Sequence, residues 1–196
     1  MKHILKCSWL LLLVGCSSYK LPEEYKVTRE RQETYENSYV RVGEEYLYRT
    51  TIAAYGHTFG GLLAAKIMDR NSWRVALTTD FGNTLFDFEK NSNGIKVHYA
   101  MPDLNKKIII RTLTADFEKL LITHFAVIKE YAKGEERVWE CTDKNDMVYL
   151  FFSGEKELKR QLNTQGKQLY TTFGYDKKYI AITHHTLDIK IDLEAI

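Results

Sequence analysis

The sequence predicts a mainly β, α+β fold: a strongly curved antiparallel sheet, or incomplete β-barrel, of about nine to eleven strands, with one main helix covering the concave face. Three observations lead there. From Glu44 onward, short runs rich in Tyr, Thr, Ile, Val and Phe alternate apolar and polar residues, the period of a strand with one buried face. Between the runs stand Gly, Asn, Asp and Ser at close spacing, the residues that reverse an antiparallel chain. A single stretch, residues 105–124, carries its apolar residues at helical spacing instead.

The first strand places Tyr46, Tyr48, Thr50 and Ile52 against Leu47, Arg49 and Thr51. After Tyr55-Gly56-His57 a second run covers residues 58–68. Gly60 and Gly61 inside it mark a bend in a curving strand rather than a phosphate loop, because no helix start follows them. A polar turn leads into residues 73–79, where Trp73, Val75 and Leu77 share one face. Asp80-Phe81-Gly82-Asn83 then turns the chain into residues 84–89, and a further turn into residues 95–99. Later strands are expected over residues 136–142, 147–153, 169–175, 179–183 and 187–193, with residues 154–168 a charged hairpin or loop. The last strand alternates cleanly, Leu187, Ile189, Ile191 and Leu193 inward against Asp188, Lys190, Asp192 and Glu194 outward.

Within residues 105–124, Ile109, Leu113, Phe117, Leu120 and His124 fall on one side, with Lys106, Arg111, Glu118 and Lys119 largely elsewhere. Asp103 is the expected cap, its carboxylate accepting the free amide hydrogens of the first turn. Such a stripe must be buried, and in a chain of strands the available partner is the sheet.

The chain opens on basic residues, Lys2 and Lys6, followed by an apolar stretch over residues 9–14. That stretch is well short of the roughly 18–20 residues that span a bilayer, and it has the order of a secretory signal. It ends in Leu13-Val14-Gly15-Cys16. The tetrapeptide resembles the lipobox of bacterial lipoproteins, in which the cysteine sulfur receives a diacylglyceryl group, the signal is cut and the new amino terminus is acylated. The resemblance implies that residues 1–15 are removed, that Cys16 is the site of lipid attachment, and that palmitate-like chains hold the protein on a membrane. Two or more chains give lasting attachment. Ser17 and Ser18 follow where the enterobacterial sorting code would place Asp for inner-membrane retention, which implies the outer membrane, facing the periplasm. Residues 16–43, rich in Glu, Lys and Arg, are expected to be a charged tether with a short helix over residues 28–35, and residues 44–196 a single half-barrel domain.

Composition narrows the function. The net charge is +2 and the basic residues are scattered, which excludes a nucleic-acid-binding face. With Cys7 in the signal and Cys16 acylated, Cys141 has no partner for a disulfide, and it reads as a small buried side chain rather than a nucleophile. Asp80-Phe81-Gly82 spells the metal-binding triplet of protein kinases but lacks the accompanying glycine-rich and catalytic loops. His184 and His185 would point to opposite faces of a strand and so cannot chelate together with Asp188 unless the site lies in the turn; they are expected to be a turn or surface pair. No catalytic group, metal or cofactor is assigned, and the chain is not expected to be an enzyme.

The inward residues Val75, Leu77, Phe86, Phe88, Val97, Tyr99, Leu150 and Phe152, with Leu113 and Phe117 of the helix, admit two arrangements. They fill a core, or they line a cavity wide enough for acyl chains. The stretch Trp73-Arg-Val-Ala-Leu-Thr-Thr-Asp-Phe-Gly-Asn-Thr-Leu-Phe resembles the third strand, loop and fourth strand of the outer-membrane receptor in the Lol superfamily, the carrier and receptor of bacterial lipoproteins. Residues 179–193 resemble that superfamily's closing hairpin. The resemblance implies that acyl chains or lipidated cargo bind in an apolar half-barrel, and that Phe81 is the loop residue that contacts membrane or cargo. Asp80 departs from the family's Pro at that turn. The competing reading is a non-catalytic accessory or structural lipoprotein with a filled core, docking a protein partner through a sheet edge or Phe81.

Overall fold

The computed structural model describes residues 19–154 and 157–196. Consecutive hairpins build it: β1 (Lys26–Glu36), β2 (Glu45–Ala54), β3 (His57–Asp69), β4 (Ser72–Thr78), β5 (Thr84–Asn91), β6 (Gly94–Ala100), α1 (Lys107–Leu120), β7 (His124–Lys133), β8 (Glu136–Asp143), β9 (Asp146–Ser153), β10 (Glu157–Gln165), β11 (Gln168–Asp176), β12 (Tyr179–His184) and β13 (Ile189–Ala195). The strands form one antiparallel sheet in the order β1-β7-β8-β9-β10-β11-β12-β13-β2-β3-β4-β5-β6. Two hairpin series, β2 to β6 and β7 to β13, are joined where β13 pairs with β2, and β1 and β6 are left as edges of a sheet that does not close.

Alternation fixes the register. Ile189, Ile191 and Leu193 stand opposite Ala54, Ile52 and Thr50, so the buried positions of β13 and β2 meet on the same face. That face continues through Leu63, Ala65 and Ile67 of β3, Trp73, Val75 and Leu77 of β4, and Phe86 and Phe88 of β5. Ile109, Leu113, Phe117 and Leu120 of α1 belong to the same buried cluster. At the β2–β3 turn, Tyr55 and Gly56 both have positive φ (50° and 78°), as a two-residue hairpin with the strands' twist requires. Gly61 has φ 153°, and a Cβ there would overlap the backbone carbonyl of Thr78 on β4.

Four expectations are corrected. The sheet has thirteen strands because β1, β7 and β10 join the ten read from the pattern. Residues 28–35 are not helical but lie within β1, which pairs with β7 and is exposed along nearly its whole length, with Arg31 and Tyr35 half-buried. An edge strand so largely exposed needs no alternation, and its charges and two register shifts discourage pairing with another chain. Residues 157–165 form β10, whose inward positions after Leu158 are polar: Gln161 Nε2 donates to Asn163 Oδ1 (2.8 Å), Asn163 Nδ2 to Thr171 Oγ1 (3.1 Å), and the Tyr175 hydroxyl to Gln161 Oε1 (3.0 Å). The helix starts at Lys107 with Lys106 at the cap position and no side chain capping it; Asp103 lies in the turn before, where Leu104 N–H and Asn105 N–H donate to the Met101 carbonyl.

A second cluster, Val138, Tyr149, Phe151 and Leu162, lies on the opposite face of β8 to β10, since Tyr149 and Phe151 alternate with Leu150 and Phe152. Tyr19, Leu21 and Tyr25 pack against it. Part of the segment expected to be a charged tether therefore packs on the sheet, from Tyr19 onward.

Candidate functional site

Helix α1 carries its apolar stripe onto the buried face of the sheet, with the Phe117 ring 5.7 Å from Phe86, itself stacked on Phe88 at 4.6 Å. Of the ten inward candidates, Val75, Leu77, Phe86, Phe88, Leu113, Phe117 and Leu150 have no exposed surface and Phe152 is 2% exposed. All eight belong to the buried core cluster. Val97 and Tyr99 depart from the expectation: they are 39% and 46% exposed on the edge strand β6. A bulge shifts the pairing from Phe88↔Val97 to Asp87↔Tyr99, which turns Tyr99 to the solvent face, and no strand lies beyond Val97.

The apolar interface contains one buried polar contact that the sequence pattern missed. Asp116 Oδ2 of α1 lies 2.8 Å from His184 Nε2 at the end of β12, with side chains 2% and 0% exposed. Burial holds the Asp116 carboxyl above its usual range, outweighing the opposing hydrogen bond and charge of His184. Tyr170 stands edge-on to the imidazole at 5.1 Å, and His184 Nδ1 has no hydrogen-bond partner among the described residues. His185 points the other way, is exposed, and shares a 2.8 Å hydrogen bond with Thr172 Oγ1. The two histidines do face opposite sides, but His184 is not a surface residue. The signal available was Asp116 itself, a carboxylate set one residue before Phe117 within the apolar stripe.

The two halves of α1 are held differently. Near its C-terminus, Glu118 accepts from Lys90 of β5 (2.5 Å) and from Lys144 of the β8–β9 turn (2.8 Å), while Lys119 reaches Asp143 (2.5 Å) and Asp146 (3.4 Å). Burial acts to raise the Glu118 carboxyl, but the two lysines outweigh it and leave it below its usual range. Among the described residues no ion pair ties residues 107–115 to the sheet.

The β4–β5 loop leads into β5, whose Leu85 carbonyl accepts from Met101 N–H at 2.9 Å on the chain's way from β6 to α1. The loop is internally braced: Thr79 N–H donates to the Asn83 carbonyl (2.8 Å), Gly82 N–H to the Thr79 carbonyl (2.9 Å), and Asn83 N–H to Thr79 Oγ1 (3.1 Å). Asp80 pairs with Arg49 of β2 at 3.1 Å. At its tip Phe81 is 94% exposed, so its ring does not fold back on the sheet.

Cys141 is fully buried, and burial pushes its thiol well above the usual range, which removes it as a nucleophile. Cys16 lies outside the described residues. Among the described residues no group of three or more His, Cys, Asp or Glu is placed to hold a metal ion, and no helix is long and apolar enough to cross a membrane. Neither a family model nor a curated relative matches the chain.

Proposed function

We propose that this is a lipoprotein, anchored through Cys16 at the outer membrane and facing the periplasm, that takes the acyl chains of lipids or lipidated cargo between α1 and the concave face of a half-barrel sheet, without catalysis. The observation that carries the reading is Phe81, 94% exposed at the tip of a braced loop. An aromatic ring held out in water is a natural contact for hydrocarbon.

The packed core sets a condition: acyl chains enter only where α1 gives way. Burying Ile109, Leu113, Phe117 and Leu120 is worth about 1.5–3 kcal/mol each, so freeing them costs roughly 6–12 kcal/mol. A chain of about 14 methylenes at about 0.8 kcal/mol each returns roughly 11 kcal/mol. The exchange is close to balanced, as reversible carriage demands, and the ion pairs of Glu118 and Lys119 mark the helix end that stays attached.

The same packing favours a second reading, an accessory lipoprotein with a filled core that docks a protein partner. One experiment separates them. The soluble domain beginning at Ser17 is titrated with a fluorescent acyl probe and with a lipopeptide. Saturable binding that is lost when Leu113 and Phe117 are both replaced by Gln, in a protein whose circular dichroism is unchanged, supports carriage. No binding by the wild-type domain, together with a single crosslinked partner in cells, supports docking instead.

A further inference from the structure

The position at which the chain first touches the sheet determines how the domain can sit on a membrane. Tyr19 N–H donates to the Lys167 carbonyl at the β10–β11 turn (2.6 Å), and the Tyr19 ring lies edge-on to Tyr149 at 5.4 Å. Leu21 packs on the same cluster, the Tyr25 hydroxyl donates to Glu136 Oε2 (2.6 Å), and the chain then runs into β1. Only three residue steps separate Cys16 from Tyr19, a reach of about 10 Å at full extension.

We propose that the anchor holds the domain directly against the bilayer through one pole, the β10–β11 turn with the adjoining β8–β9 turn, rather than on a long tether. The inference rests on the acylation of Cys16. The two turns form one unit because Gly166 N–H donates to Asp146 Oδ1 at 2.9 Å. Lys20 and Lys167 are exposed there, and Lys144 keeps a side-chain exposure of 71% although it donates to Glu118. The nearby acids are already engaged, Asp143 and Asp146 by Lys119 and Asp146 also by Gly166. The surface potential of anionic lipids acts over about a Debye length, ~8–10 Å, so a pole held this close presents its lysines to the headgroups.

The test uses the full-length protein, processed in cells and reconstituted into phosphatidylcholine vesicles containing phosphatidylglycerol and a lipid with a headgroup nitroxide. A fluorophore is placed on Lys167→Cys or on Lys177→Cys, at opposite ends of β11 and roughly 30 Å apart; the buried Cys141 stays unlabelled. Quenching at position 167 is expected to exceed that at 177 several-fold, and a linker of twenty Gly and Ser residues inserted between Ser18 and Tyr19 is expected to abolish the contrast. Equal quenching at both positions in a protein that floats with the vesicles overturns the orientation and leaves the anchor standing. Contrast that survives the linker also overturns it, because reach would then not be the cause. Protein that does not float overturns the anchor itself, and the orientation with it.

Discussion

Asp116 and His184 meet at 2.8 Å across the interface between α1 and β12, both sealed from solvent. Replacing Asp116 with Ala strands a buried imidazole, and breaking such a pair from one side costs roughly 3–5 kcal/mol. Chemical denaturation is expected to show a loss of that size. Asp116→Leu combined with His184→Leu should recover much of it, since neither polar group is then left unpaired.

The same carboxyl makes stability depend on pH with a definite sign. Burial raises the Asp116 value in the folded state, so its contribution is fully present below the unfolded carboxylate range and is lost as pH rises through the raised folded value. Asp116→Asn cannot ionise. The stability of the native protein relative to this variant is therefore expected to be greatest at acid pH and to fall as pH rises, read from denaturation midpoints across a pH series. A difference that is flat with pH, or that grows with it, would contradict the assignment.

Much of the fold is legible in the sequence, and the exceptions have physical causes. β13 is read directly because one of its faces is buried and the other wet. β1 escapes because it is an edge strand exposed along nearly its whole length, with only Arg31 and Tyr35 half-buried, so that the alternation of KVTRERQETYE is lost. β10 escapes for the opposite reason: Gln161 and Asn163 are buried but satisfy one another and Tyr175, so polar residues occupy the inward positions. The helix stripe is legible from Ile109 to Leu120, whereas the place of Asp116 within it depends on His184, 68 residues away, and no local pattern records that pairing. Val97 and Tyr99 escape because β6 is an edge strand with nothing beyond Val97, and because the one-residue bulge that turns Tyr99 outward leaves no mark in the alternation.

Leu113 measures how firmly α1 is seated. It has no exposed surface, and Leu113→Ala is expected to cost about 2–5 kcal/mol in thermal or chemical denaturation. A loss below about 1 kcal/mol would mean that the site collapses around the smaller residue and that the helix packs loosely.

Gly61→Ala tests the close approach of β3 and β4. Its Cβ would meet the Thr78 carbonyl, which is backbone and cannot rotate away, at a φ of 153°. A loss of about 2–4 kcal/mol is expected, in the upper part of the usual range for single substitutions. Gly56→Ala is the comparison: it has open space but a positive φ, and should cost roughly 1–2 kcal/mol.

Phe81 touches little, so Phe81→Ser should leave stability within about 0.5 kcal/mol. If the ring is the first contact for hydrocarbon, the rate of acyl-probe capture by stopped-flow fluorescence falls several-fold in the same variant. An unchanged rate would remove Phe81 from the uptake path.

Hydrocarbon that enters between α1 and the sheet can be located there directly. An acyl chain carrying a terminal diazirine is bound to the soluble domain, photolysed, and its adducts mapped by mass spectrometry. Adducts are expected on Leu113 or Phe117 of α1 and on Phe86 or Phe88 of the sheet, competed away by unlabelled chain. Adducts confined to Phe81 and the outer face of the sheet, or none that unlabelled chain displaces, would contradict entry between α1 and the sheet.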